Sequence, residues 1–277
     1  MIKDLILHIE RDETRESVCD FAISVAELFE AHLTGVAFSY AANISNFAVP
    51  DLPASVLTEI FSRSEAAARE AIERFDTAVK RNGISAEPRL ILQSEFGPPK
   101  AFSEMARCYD LSVMMQTDDY KGVSNDLLIE ATLFESGRPL IVVPYIQKGE
   151  IKLDRIVCCW DGSRAAARAI NDALPLLKKA GLVELFMVVN EESEVSRETK
   201  VDEIANHLAR HDVKVQVETV PAADIDVANA ILSYVSDVSA DLIVMGGYGH
   251  SRMREFILGG ATRGILGSMT VPVFLSH

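Results

Sequence analysis

No apolar run in the 277 residues approaches the roughly 20 that a membrane helix needs, so the chain is not expected to enter a bilayer. A basic excess is also missing. Against 27 Lys and Arg stand 41 Asp and Glu, a formal net charge of −14. Non-specific nucleic-acid binding and docking on anionic lipid both need a basic face, and "SRMRE", from Ser251, is the nearest approach to one. The four cysteines (Cys19, Cys108, Cys158, Cys159) have no paired metal-ligand spacing. Cys158 and Cys159 adjoin in a strand-like run and point to opposite faces; they read as small buried hydrophobes. The Gly-Lys-Ser/Thr of a P-loop is absent, which leaves motor-type ATP hydrolysis without support. No Ser/His/Asp, Cys/His or paired-carboxylate set has a supporting context. His207 and His211 lie four apart on an expected helix, a spacing that can bind metal, but no third ligand is evident. Charges interrupt the apolar run of "MIKDLILHIERDE", unlike a signal peptide. A cytoplasmic protein is expected.

What the sequence does contain is a repeat. About half of it is apolar, enough for two ordinary cores. "YDLSVMMQTDD", from Tyr109, matches "ADLIVMGGYGH", from Ala240, in Asp-Leu-x-Val-Met. "GRPLIVVPY" and "TVPVFLSH" each place a proline just before an apolar strand. "IKDLILHIERDETRESVCDFAISVAELF" parallels "KLDRIVCCWDGSRAAARAINDALPLL": strand, acidic loop, helix. Two copies of one unit follow, residues 1–147 and 148–277, with the seam in "PYIQKGEIKLD". In the second copy "RIVCCW", "LVELFMVV", "VKVQVETV", "DLIVMG" and "VPVFLS" are expected strands. "SRAAARAINDALPLLKKA" is expected as one helix with Ser163 as N-cap. Helices are also expected over "KVDEIANHLARH" and "DIDVANAILSYVSDVSA", the latter with Ile225, Ala228, Ile231, Leu232 and Val235 inward. The first copy has the same order, with an insert, "AANISNFAVPDLPASV", and a long helix after its second strand. This alternation predicts an α/β fold: two tandem, doubly wound, parallel five-stranded sheets with helices on both faces.

In such sheets ligands sit outside the carboxyl ends of the strands, where strand order reverses. The loops after strands one and four are the ones to inspect. In the second copy they hold Asp161-Gly162-Ser163 and Gly246-Gly247-Tyr248-Gly249. Glycines there let a backbone approach a ligand. Gly259, Gly260, Ala261 and Thr262 follow at an expected helix start, where free N–H groups favour an anion. Together these residues allow a nucleotide.

The spacing Gly246-x2-Gly249-x9-Gly259, with Asp161-Gly162-Ser163 after strand one, resembles the universal stress protein family. The resemblance covers the whole chain as a tandem pair and implies a Rossmann-like, adenine nucleotide alpha hydrolase-like fold. By this resemblance ATP or a related adenine nucleotide, with Mg²⁺, occupies the C-terminal copy. Asp161 meets the adenine or ribose side, the backbone of Val188 and Val189 the base, and Gly246, Gly249 and Gly259 the phosphates. His250, Arg252, Arg254 and Arg263 are further phosphate candidates, set against an ordinary solvated loop. One departure stands out: Gly260 occupies the family's Ser/Thr position, and Thr262 is the nearby hydroxyl. In the first copy Met115, Gln116, Thr117 and Asp118 align with the glycines and "ERDETRE" replaces Asp-Gly-Ser, so that site is read as degenerate. The resemblance further implies pairing of the two copies through "LIVVPY" and "VPVFLS", and allows a homodimer and a protein partner. Two readings remain: a nucleotide-binding regulatory module, or a structural and interaction protein of the same fold. A slow ATPase is a weaker third, with no base or metal cluster behind it.

Overall fold

The computed structural model describes residues 1–12, 17–39, 54–92, 97–117, 125–189, 194–221, 226–247 and 260–277. The chain divides into two compact units. One comprises Met1–Arg138 with Lys148–Glu150, the other Pro139–Gln147 with Ile151–His277.

The first unit contains β1 (Asp4–His8), α1 (Ser17–Phe29), β2 (His32–Phe38), α2 (Ala54–Asn82), β3 (Ala86–Ile91), α3 (Gly97–Ala106), β4 (Leu111–Met115) and α4 (Asp126–Glu135). Its strands run parallel in the order β3-β2-β1-β4. Leu5, Ile6 and Leu7 of β1 are fully buried, as a central parallel strand covered on both faces requires. In α2, Ala68, Ala71, Phe75 and Val79 are buried. Steps of three and four residues put them on one stripe facing the core.

The second unit contains β5 (Leu140–Val143), β6 (Arg155–Cys159), α5 (Arg164–Asp172), α6 (Leu174–Leu177), β7 (Leu182–Val189), α7 (Glu194–Arg210), β8 (Val215–Pro221), α8 (Val227–Asp237), β9 (Leu242–Gly246), α9 (Gly260–Ser268) and β10 (Val273–Ser276). Strand order is β5-β10-β9-β6-β7-β8. β10, β9, β6, β7 and β8 are parallel, whereas β5 joins β10 antiparallel, with Val142 opposite Val273 and Ile141 opposite Phe274. All ten expected strands are therefore present. The fifth strand of the first repeat lies in the second compact unit, where the expected "LIVVPY"–"VPVFLS" pairing is found.

The Asp-Leu-x-Val-Met repeat has a structural cause. Asp110 Oδ2 accepts the N–H groups of Lys3 and Asp4 at 2.7 and 3.1 Å, and Asp241 Oδ2 accepts that of Arg155 at 2.9 Å. Each aspartate caps the start of the strand beside it. The helix expected over residues 163–180 is broken at Ala173 into α5 and α6. Pro175 lacks the N–H that would continue the ladder, and the turn tightens, with Leu176 and Leu177 both donating to Ala173 O. In α8, Ala228, Ile231 and Val235 are buried as expected, while Leu232 is half-buried. Ile225 and most of the first-copy insert lie outside the described residues. No helix among the described residues is long and apolar enough to cross a membrane.

Candidate functional site

In the second unit strand order reverses between β6 and β9, so their carboxyl ends define the crevice where a ligand is expected. Asp161, Gly162 and Ser163 leave β6 there. Asp161 Oδ1 accepts the N–H of Ser163 at 2.8 Å, closing a local turn of the kind aspartate favours. Gly162 turns the chain with φ +76°, in open surroundings; a side chain here would be strained by conformation alone. Ser163 Oγ accepts the N–H of Ala166 at 3.1 Å, the expected N-cap of α5. Asp161 and Gly162 are exposed and Ser163 half-buried.

Gly246 ends β9 against this same turn. A Cβ on it would lie 2.4 Å from Ala165 C and 2.5 Å from Ala166 N. Only glycine lets α5 rest on the strand end, so packing alone requires it. The next amide is already engaged: Gly247 donates to Ser276 O at 2.9 Å, and the His277 Nδ1–H donates to Gly247 O at 2.9 Å. Ser276 Oγ donates to Asp172 Oδ2 at 2.6 Å. These ties from the end of β10 had no signal in local sequence. Val188 is half-buried and Val189 buried at the end of β7.

Gly260 opens α9. It is exposed, and a Cβ added there would meet nothing within 4 Å. Ala261 is half-buried. Thr262 is 3% exposed and shares the buried face of α9 with Ile265 and Leu266, so its side chain packs inward. Gly249, His250, Arg252, Arg254 and Gly259 lie outside the described residues. The Asp-Gly-Ser turn and Gly246 are thus brought together, and α9 begins with Gly260.

Behind this turn, burial and then the nearby Asp161 push the Cys159 thiol up to about 12. Burial, followed by Cys159, also raises Cys158 well above the ordinary thiol range. Cys158 is buried as expected, whereas Cys159 is half-buried at the end of β6. Among the described residues no group of three or more His, Cys, Asp or Glu is arranged to hold a metal ion.

The corresponding crevice of the first unit is built differently. Asn125, at the N-cap of α4, donates through Nδ2 to Glu10 Oε1 at 2.7 Å and to Met115 O at 3.1 Å. Its own N–H donates to Thr117 Oγ1, which donates to Asp126 Oδ1 at 2.6 Å. The ends of β1 and β4 are therefore bridged by a polar network carrying two carboxylates, buried at Asn125 and Glu10 and part-buried at Thr117 and Asp126. His8 Nδ1 sits 3.5 Å from Glu10 Oε1. A cleft of about 530 Å³ lies against α1 and α2 and shares Glu10 with this network. Its lining includes Glu10, Asp20, Glu70 and Glu73 against Arg74 and Arg81, a balance unfavourable to a polyphosphate.

The sequence and the fold both have counterparts among known proteins. The family model described as "Universal stress protein family" matches residues 152–277. The matched stretch covers the second repeat from just before β6 to His277. A universal stress protein from Archaeoglobus fulgidus DSM 4304 superimposes over 99% of this chain and 95% of its own, with a TM-score of 0.66 at 18% identity. A functionally unknown protein from Pseudomonas aeruginosa PAO1 does so over 99% and 92%, with a TM-score of 0.63 at 13% identity. At such identities the likeness is one of fold, and it extends across both repeats. No match was found among curated proteins. The Asp-Gly-Ser turn, Gly246 and the start of α9 all fall inside the stretch matched by the family model, and the bridged crevice of the first unit lies outside it.

Proposed function

We propose that the chain is a stress-response regulatory protein whose universal stress protein domain binds ATP or a related adenine nucleotide. The observation that carries this reading is the meeting of the Asp161-Gly162-Ser163 turn with glycine-ended β9 at the point where strand order reverses. Asp161 is the group for the ribose or base side. Helix starts leave N–H groups without intrahelical carbonyls, so the first turn of α9, from Gly260 to Thr262, is the phosphate-facing element. The remaining glycines, Gly249 and Gly259, enter on the sequence spacing. Mg²⁺ would accompany the phosphates as a charge partner. Occupancy would be read by a protein partner, and turnover is not part of the proposal.

A second reading, an interaction protein without nucleotide, is favoured by three particulars. Gly246 is already required by packing, the Gly247 amide is committed to Ser276, and the Thr262 side chain faces the core. Mass spectrometry of the purified protein and a thermal-shift titration with ATP and Mg²⁺ separate the two. The first reading expects a carried nucleotide or a saturable rise in Tm, abolished in Gly249→Asp. No nucleotide and no shift at millimolar ATP would overturn it in favour of the second. An unaltered shift in Gly249→Asp would remove the glycine loop from the site.

A further inference from the structure

His207 and His211 lie on α7 and just beyond its end, one helical turn apart, and both are half-buried. Their rings have already come together, with centroids 4.7 Å apart and planes inclined by 66°. A third residue fixes one of them. Asn171, on α5, donates through Nδ2 to Ala167 O at 2.8 Å, which orients its amide and leaves Oδ1 directed at His207 Nε2, 3.3 Å away. An amide oxygen only accepts, so Nε2 carries a hydrogen, and in the neutral ring the lone pair is on Nδ1. Metal-binding histidines are prepared in this way: the outer N–H is held by a carbonyl or carboxylate oxygen while the other nitrogen faces the cation. Neutral imidazole suits borderline divalent ions, with Zn–N bonds of about 2.0–2.1 Å.

We propose that His207 and His211 form a two-imidazole site for a borderline divalent transition cation of the Zn²⁺ class, oriented by Asn171 and completed by water. It uses none of the residues assigned to nucleotide binding and stands or falls independently of that reading. With only two protein ligands the coordination shell stays open, so the site suits a labile, exchangeable ion. The chain's net charge of −14 favours the approach of cations.

The test uses the full chain titrated with ZnCl₂ alone, followed by calorimetry and by ¹⁵N-detected imidazole spectra. The expected result is saturable binding of one ion at micromolar concentration. The His207 Nδ1 resonance should shift on binding while Nε2 keeps its proton. His207→Gln and His211→Gln should each weaken binding by about tenfold or more, and Asn171→Ala by about tenfold, as loss of an outer-shell partner does. His32→Gln, in the first unit, should bind as the unaltered protein does. Asn171 is exposed and the two histidines are half-buried, and an unchanged Tm without metal would verify that each variant folds. Absence of saturable binding below millimolar Zn²⁺ would overturn the proposal. So would binding that survives unchanged in both His207→Gln and His211→Gln. Loss through the histidine variants with no effect of Asn171→Ala would overturn the orienting role of Asn171.

Discussion

Gly246 and Gly260 look alike in sequence and face opposite physical demands. A methyl group on Gly246 would strike backbone atoms of Ala165 and Ala166 that have no flexible side chain to yield. Overpacking of this kind costs about 1–3 kcal/mol, so Gly246→Ala should lower the urea midpoint and Tm clearly, whether or not nucleotide is present. At Gly260 the space is open. Gly260→Ser should fold as the original does and, if the nucleotide reading holds, tighten ATP binding by up to about tenfold, the worth of one added hydrogen bond. The glycine spacing was legible in sequence; the division of labour was not, because steric need depends on which helix lies against the strand. Cys159 makes a prediction of another kind. Its thiol is held at about 12 in the folded protein against an ordinary 9.0. A raised value means that its stabilising share is complete below pH 9 and is lost as pH climbs from 9 towards 12, where the unfolded chain ionises first. Tyr234, raised from 10.0 to about 12 by burial and then Glu184 and Glu218, acts in the same direction within that window. Denaturant melts between pH 8 and pH 11 should therefore show a fall in stability that is shallower in Cys159→Ala. An identical slope in the two proteins would contradict the assignment.

For the elements, most of the order was legible because hydrophobic period and loop chemistry are local properties. Ser163 as N-cap, the buried face of α8 and all ten strands follow from them. The break between α5 and α6 was also written in Pro175, but a strong apolar pattern across it masked the interruption. What local pattern cannot supply is the reason the repeat contains aspartate. Asp110 and Asp241 act on strand starts 106 and 86 residues away in sequence, and only the assembled sheet brings them there. This contact can be tested without disturbing the core. Asp241→Ala removes an acceptor for the Arg155 N–H and should cost about 1 kcal/mol in a denaturant melt. Asp241→Asn keeps a carbonyl oxygen in the same place and should recover most of that loss. Equal destabilisation by both would mean that charge, and not the hydrogen bond, is what the position supplies.

Two copies of one strand-and-helix plan differ in how their crevices are built. In the second unit the Asp161-Gly162-Ser163 turn meets Gly246 where strand order reverses. The first bridges the equivalent crevice with Asn125, Glu10, Thr117 and Asp126. The sequence pointed to this asymmetry through lost glycines and added acid. The acid it named at the glycine loop, Asp118, lies outside the described residues; that Glu10 is bound by Asn125, 115 residues away, had no local signal. A phosphate entering the first crevice would have to displace the Asn125 hydrogen bond and meet the Glu10 and Asp126 carboxylates at short range. Both terms oppose binding. Ligand-induced protection should therefore be confined to one copy. In hydrogen exchange with and without saturating ATP and Mg²⁺, amides 161–166 and 260–262 should slow, while amides 8–10 and 115–117, with that of Asn125, should exchange at unchanged rates. Slowing in the first copy at the same ATP concentration would show that its polar network opens to admit a ligand, and would overturn the assignment of that copy as degenerate.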